Sequence, residues 1–474
     1  METFVADPAR LIIAALCGLV LLLVFIIKVK FQPLIAILLS ALAIGLIGGL
    51  PVSMIVDTVS KGMGETLKGI ALLVGLGSMF GAILEISGGA ERVALTMIRR
   101  FGEKRAPWAL GLTGMVVAIP VFFDAGLIIL IPLAFSIARR AKKSTLFFVI
   151  PLLAGLAVGH AFIPPTPGPV LVANILGVDL GLVIGLGLVC GVFAMILAGP
   201  VFSQFCGKKF DVPVPDQYLN APEYDESKLP SFGSVVAIIM IPLFLILINS
   251  VLGAIPEGTA VDMLRPVFSF LGTPFVALLL ATIVAMFLLG VRHGYSREEL
   301  EKVMTKSLEP TGLILLVTAG GGVLRYMLQD SGLGDIIGNA VAVLPVPIVV
   351  VAFLIALAVR ISVGSATVAM TMAAGIVASM PVVATLSPLH LACLVMAIAG
   401  GSTAFSHFND SGFWLVKSLC NLDEKATFKT WTMMETIVGT TGFVVALIIS
   451  LIFNRIQIPI HPFTTPSAHS TWAE

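Results

Sequence analysis

The residues best suited to chemistry lie in one polar stretch, Gly400–Trp414 (GGSTAFSHFNDSGFW), set inside otherwise apolar sequence. Ser402, Thr403, Ser406, His407, Asn409, Asp410 and Ser411 supply hydroxyls, an amide, an imidazole and carboxylate oxygens in close succession. The apolar runs Pro388–Ala399 and Phe413–Leu422 flank it, each of the kind that crosses a bilayer. Hydrocarbon offers no hydrogen-bond partners, so such a patch persists at membrane depth only when buried in protein or lining a water-filled cavity. Ionisable groups there cost at least ~2.5–3.5 kcal/mol each on insertion scales, which makes them candidates for function. The chemistry that suits this set is reversible binding of a small hydroxylated solute, with titratable groups to move a proton.

Three further stretches belong with it. Asp124 sits in FFDAG (Phe122–Gly126), with Gly126 beside it. It reads as a proton-carrying carboxylate or, structurally, as a helix cap. Arg360 opens RISVGSAT (Arg360–Thr367). It could hold a substrate carboxylate through a bidentate contact, neutralise Asp124, or snorkel outward. Behind it, Ser362, Gly364, Ser365 and Thr367 suit a half-helix N-terminus facing an anion. In the proline-rich stretch His160–Pro169, Thr166 and Gly168 are candidate contacts, joined by Ser406, Asn409 and Asp410 of the first patch. The proton path falls on Asp124, His407 and Asp410, while His160 reads as a satisfied structural histidine. Glu85, Glu309, Arg325 and Glu435 lie near expected span ends and read as interfacial charges or helix-end pairs. Trp108, Trp414 and Trp431 read as interfacial anchors.

The chain that must position these residues has 474 of them, 58% hydrophobic and 12% charged, with a mean hydropathy of +1.07. A soluble domain carries about twice that charge. The class is therefore an all-α polytopic membrane protein, and a net charge of +1 leaves no nucleic-acid footprint. Leu11–Ile27 follows Glu2 and Asp7 and precedes Lys28 and Lys30, so it reads as a first span rather than a signal peptide. The five cysteines are dispersed, with no CxxC, giving neither a disulfide framework nor a metal site. No HExxH pattern is present to support an intramembrane hydrolase. Neither an enzyme nor a cofactor is expected.

Basic loops stay cytoplasmic. The connections Lys28–Lys30, Arg92–Arg105, Arg139–Lys143, Lys208–Lys228, Arg292–Lys306 and Lys425–Lys429 hold 20 of the 28 Lys and Arg residues, so they fix the topology. Placing all of them inside leaves 107–138 too short for two spans, which implies a re-entrant hairpin. The stretch 144–178 is longer than the ~20 residues of a straight crossing and contains four prolines near its centre, so it reads as a broken helix. Both termini then lie outside.

The pattern recurs at a shift of 241–243 residues: Pro33-LIAILL answers Pro274-FVALLL, Gly69-IALLV answers Gly312-LILLV, and Ala161-Phe162 answers Ala404-Phe405. The expected architecture is two inverted repeats, each with five transmembrane segments, one re-entrant hairpin and one broken helix. The first spans 1–206, with its hairpin at 107–138 and broken helix at 144–178. A cytoplasmic linker covers 207–231. The second spans 232–474, with its hairpin at 345–381 and broken helix at 388–422. Such repeats, with broken helices meeting at mid-bilayer, are the architecture of a secondary transporter.

At FFDAGLIILIPLAFSIARR, PPTPGP and FSHFNDSGFWLVK the chain resembles the gluconate permease family, within the ion-transporter superfamily. The resemblance implies a bacterial inner-membrane carrier that imports gluconate or a similar hydroxy acid with protons, and is compatible with a homodimer. Similar family members carry D-serine. Sodium coupling and cation/proton antiport are the alternatives from the same architecture. The family's gluconate carriers often have Glu where this chain has Asp124 and His where it has Thr166. The expected partners are a small organic anion, the coupling proton and membrane lipid.

Overall fold

The computed structural model describes residues 7–218, 226–256, 258, 261–332 and 346–455. The expected ends of both termini, part of the linker and the loop before the second hairpin lie outside the described residues. Every regular element among those described is helical, and seven helices are long and apolar enough to cross a membrane.

The chain opens with α1 (Pro8–Leu23), α2 (Pro33–Gly48), α3 (Val52–Ile86) and α4 (Gly89–Phe101). Next come the helix pair α5 (Ala106–Val117) and α6 (Phe123–Ala141), then an interrupted helix, α7 (Leu146–Phe162) and α8 (Pro167–Leu176). The first half closes with α9 (Leu180–Ile196), which runs through a π turn into α10 (Phe202–Lys209). The second half brings α11 (Phe232–Ala254), the short α12 (Arg265–Leu271), α13 (Pro274–Ala285) and α14 (Arg297–Asp330). A second pair, α15 (Ile348–Val363) and α16 (Ala366–Ala378), precedes a second interrupted helix, α17 (Pro388–Thr403) and α18 (Ser411–Leu419). The turn α19 (Glu424–Thr427) and the π turn Phe428–Thr432 lead into α20 (Met433–Arg455). Helices begin at matching places in the two halves: Pro33 and Pro274, Ala106 and Ile348, Leu146 and Pro388.

Local sequence explains the starts. Asp7, Asp179, Ser231, Ser296 and Ser387 each cap a helix by accepting a backbone N–H, which satisfies one of the donors a first turn leaves free. Ser296 and Glu299 form a reciprocal capping box. Proline stands in the first turn of α1, α2, α5, α8, α13 and α17, where its missing N–H is harmless.

The two long helices α3 and α14 cross antiparallel. A Cβ on Gly62 would lie 2.6 Å from Val323 Cα, while Ser78 Oγ donates to the Ser307 carbonyl at 2.6 Å. Near one end of the crossing Lys61 pairs with Asp330 at 3.6 Å; near the other, Glu85 faces Lys306. Glu85 therefore has an opposite charge on the neighbouring helix within reach, without a contact ion pair. The linker docks on α4, where Arg92 donates to the carbonyls of Glu226 and Pro230, both at 2.6 Å.

The interrupted helices form the centre. Fifteen of the 17 residues of α7 and 12 of the 16 of α17 are buried, so their neighbours enclose them on nearly every side. Glycines permit the approach. A Cβ on Gly155 would lie 2.8 Å from the Met115 nitrogen of α5, and one on Gly401 would lie 2.8 Å from Ala356 Cβ of α15.

Candidate functional site

The second helix pair turns at Gly364, which has φ +82° and closes α15. That left-handed conformation favours glycine, and a Cβ there would lie 2.7 Å from the Asn409 carbonyl carbon. The turn is thus pressed directly against the break between α17 and α18. Asn409 Nδ2 donates to the Ile361 carbonyl at 2.8 Å, and His407 Nε2 lies 3.1 Å from the same oxygen.

At the centre of this clasp Arg360, 3% exposed, donates to the Gly364 carbonyl and to Asp410 Oδ2. Its Nε is buried and makes no hydrogen bond. Asp410 caps α18 through Gly412 N at 3.0 Å and also accepts from the Ser406 hydroxyl. Ser406 in turn accepts from Trp431 Nε1 at 2.8 Å. Each donor supports the carboxylate charge, and α18 adds the positive end of its dipole. Arg360 therefore belongs to Asp410 and neither pairs with Asp124 nor snorkels.

The first half contributes the other wall. Phe123 packs against Trp431 with ring centroids 5.4 Å apart. The next residue, Asp124, stands exposed in the first turn of α6 and within charge–charge reach of Asp410. His160 lies near the end of α7, in reach of both Asp410 and Arg360, with Nδ1 buried and unbonded. It lines a pocket of about 20 Å³ with Phe122, Pro165 and Thr166, space for about one water. Asp124, His160, Arg360 and Asp410 thus form one neighbourhood of ionisable side chains drawn from both halves.

Other expected contacts are engaged locally. Thr166 stands at the start of α8 without capping it, and its hydroxyl donates back to the Ile163 carbonyl at 2.7 Å. Gly168 is a close-packing position, where a Cβ would lie 2.5 Å from Met370 Sδ of α16. Gly126 is buried against Leu156. Ser362 donates back to Ala358 O at 2.9 Å, and Ser365 caps α16. Thr367 is half-buried and its carbonyl accepts from Thr371 at 2.9 Å.

Two residues assigned to the interface are interior instead. Trp431 is 2% exposed and holds Ser406. Glu435, 4% exposed, faces Arg360 and Asp410. The signal was present: Trp431 and Glu435 stand four residues apart, beside Thr432, Thr436 and Thr440 at the same spacing. That makes a polar stripe along one helix face. Thr436 Oγ1 accepts from Phe405 N at 3.2 Å, so the stripe backs the break. Trp108 and Trp414 are exposed, at 40% and 42%.

Apolar helices of membrane-spanning length around two interrupted helices and a buried ion pair define a multi-pass membrane transporter. The family profile described as GntP family permease matches residues 10–452, and the chain belongs to that family. It is 40% identical over 442 residues to the low-affinity gluconate transporter of Escherichia coli (strain K12), covering 92% of this chain and 98% of that one. It is 35% identical over 445 residues to the Gnt-II system L-idonate transporter of the same organism, covering 94% and 99%. The fold resembles the crystal structure of the Alcanivorax borkumensis YdaH transporter, with a TM-score of 0.63 at 13% identity over 95% of this chain and 100% of that one. Its relatives are transporters and permeases, not enzymes.

Proposed function

We propose that the protein imports gluconate or a closely related sugar acid across the bacterial inner membrane by proton symport. Membership of a family with gluconate and L-idonate transporters supports the substrate class. The observation that carries the reading is Arg360, a buried guanidinium with one unbonded donor, held at the junction of a hairpin turn and a helix break. A sugar acid brings one carboxylate for that donor, and hydroxyls for the Asn409 and Ser406 region.

Charge explains the need for protons. Arg360 is the one cation among Asp124, Asp410 and Glu435, so with every carboxylate ionised the cluster is already negative before an anion arrives. Binding the acid therefore favours proton uptake, and apparent affinity is expected to weaken as pH rises. A monoanion entering against an inside-negative potential loses ~2.3 kcal/mol per 100 mV, nearly a fifty-fold penalty. One proton cancels that charge, and two make uptake electrogenic.

The transport cycle rests on an inverted duplication. Support comes from α3 and α14, equivalent in order yet antiparallel, with Lys61–Asp330 and Lys306–Glu85 repeating one opposition of charge across the crossing. In this arrangement each helix pair is a re-entrant hairpin, both termini lie outside, and the two breaks flank one substrate site. The test is reconstitution into proteoliposomes with labelled gluconate, L-idonate and D-serine. Counterflow of a sugar acid together with accumulation driven by an inward proton gradient is expected. Accumulation driven by sodium alone would sink the proton reading, and counterflow of D-serine alone the sugar-acid reading.

A further inference from the structure

We propose that Glu435 carries the co-transported proton, with Arg360 as the cation for which Glu435 and Asp410 compete. This rests on the proton-symport reading above and names the group that performs it. Glu435 lies in the first turn of α20, 4% exposed, and makes no side-chain hydrogen bond or ion pair among the described residues. A buried carboxylate without a partner is strongly unfavourable while ionised, and a bound proton removes that penalty. Its charged neighbours are Arg360 of α15 and Asp410 at the second break. From α7, His160 faces the same pair of charges. Cys190 of α9 and Cys393 of α17, on two other helices packed against α20, face each other instead. Lys429, in the π turn before α20, is exposed.

The asymmetry at Arg360 supplies the switch. Its two terminal nitrogens bond Gly364 and Asp410, while Nε has no acceptor. Asp410 does not depend on Arg360 alone, because Ser406 and Gly412 N also donate to it. Arg360 can therefore turn toward Glu435 and leave Asp410 ionised at the start of α18. In that step the Glu435 O–H bond breaks, the proton passes to water on the open side, and the guanidinium takes up the new carboxylate charge. The reverse step restores the O–H bond and returns Arg360 to Asp410. Asp124, exposed in the first turn of α6, differs from Glu435 in facing Asp410 without Arg360 among its charged neighbours.

The experiment is Glu435→Gln in proteoliposomes, read by both gradient-driven accumulation and counterflow of labelled gluconate. Glutamine mimics the protonated side chain, so counterflow should persist while proton drive is lost. For one proton under a one-unit pH gradient, accumulation should fall about tenfold. Wild-type protein insensitive to the gradient would refute symport itself. A gradient-sensitive wild type with an equally sensitive Glu435→Gln would refute Glu435 alone. Glu435→Asp, which keeps a carboxylate, should retain the drive with a displaced pH profile, and it also serves where the glutamine variant fails to fold. A wild-type pH profile in Glu435→Asp would overturn the proposal and leave Glu435 a packing residue.

Discussion

The two interrupted helices use the same device and end in different states. At the first, 163–166, the chain is closely packed: nine of the ten residues of α8 are buried against α3, α16 and α17, and a cavity of about 530 Å³ lies farther along, beside Val170 and Asn174. Thr166 braces its own turn, and Gly168 admits Met370. At the second, 404–410, Phe408 is 51% exposed, Phe405 takes φ +60°, and only three of the nine residues of α18 are buried. α18 packs on α19 and the π turn after it, with nothing matching the α8–α16 contact. The polar groups divide likewise. At the first break Thr166 bonds within its own turn, whereas the second is joined to a hairpin turn through Asp410, Asn409 and His407. Equivalent elements in unequal packing give a carrier one open side. In the proposed topology α18 ends at the cytoplasm.

The largest expected effect tests the clasp that only the second break has. Arg360→Ala leaves the half-buried Asp410 without its cation, and breaking a fully buried pair costs about 3–5 kcal/mol, an upper figure here. Loss of counterflow and a lowered melting temperature are expected. Arg360→Lys should rescue poorly, because one ammonium cannot reproduce the fork that reaches both Gly364 and Asp410. Transport retained in Arg360→Ala would remove the pair from the mechanism.

The next test concerns the open side itself. In a Cys17→Ser background, which removes the exposed native thiol, Ser411→Cys and Val172→Cys report on α18 and α8. An impermeant maleimide should label Ser411→Cys rapidly from the cytoplasmic face, since Ser411 is exposed, and should spare buried Val172→Cys. Equal labelling of both would erase the comparison. A reversal under an outward-facing condition would show the two breaks exchanging states.

Part of this was legible in the sequence, for physical reasons. Polar residues inside an apolar run stand out because hydrocarbon does not tolerate them singly, so the helical membrane class and the Gly400–Trp414 stretch are visible without coordinates. Family membership is equally visible in FSHFNDSGFW. Partners separated along the chain are not. Arg360 reaches Asp410 across 50 residues and Trp431 reaches Ser406 across 25, and no local spacing predicts either. Glu435 looked interfacial because position along a span says nothing of which side faces protein. Thr166 and Ser362 looked like ligand contacts because residue type does not reveal that a hydroxyl is already bonded to its own backbone.

Two glycines sharpen the contrast at smaller amplitude. Gly364→Ala meets a left-handed backbone, worth about 1–2 kcal/mol of strain, and also the rigid backbone of Asn409. Gly168→Ala meets only the Met370 side chain, which is flexible and can move aside. Uptake is therefore expected to fall steeply in the first variant and modestly in the second. Similar losses in both would mean that the closely packed break is as tightly specified as the open one.

The finest distinction removes one hydrogen bond from each break. Thr166→Val deletes the bond to Ile163 O, and Trp431→Phe deletes the bond to Ser406 while keeping a ring against Phe123. Each loss is worth about 1 kcal/mol in stability, so melting temperatures should drop comparably. Their transport should differ. The Thr166 bond ends in its own turn, so substrate affinity should stay near wild type. The Trp431 bond continues through Ser406 to Asp410 and Arg360, so its loss should raise the KM for the sugar acid and alter its pH dependence. If Thr166→Val shifts KM as much as Trp431→Phe does, the first break takes a direct part in binding, and the division between a bracing break and a binding break fails.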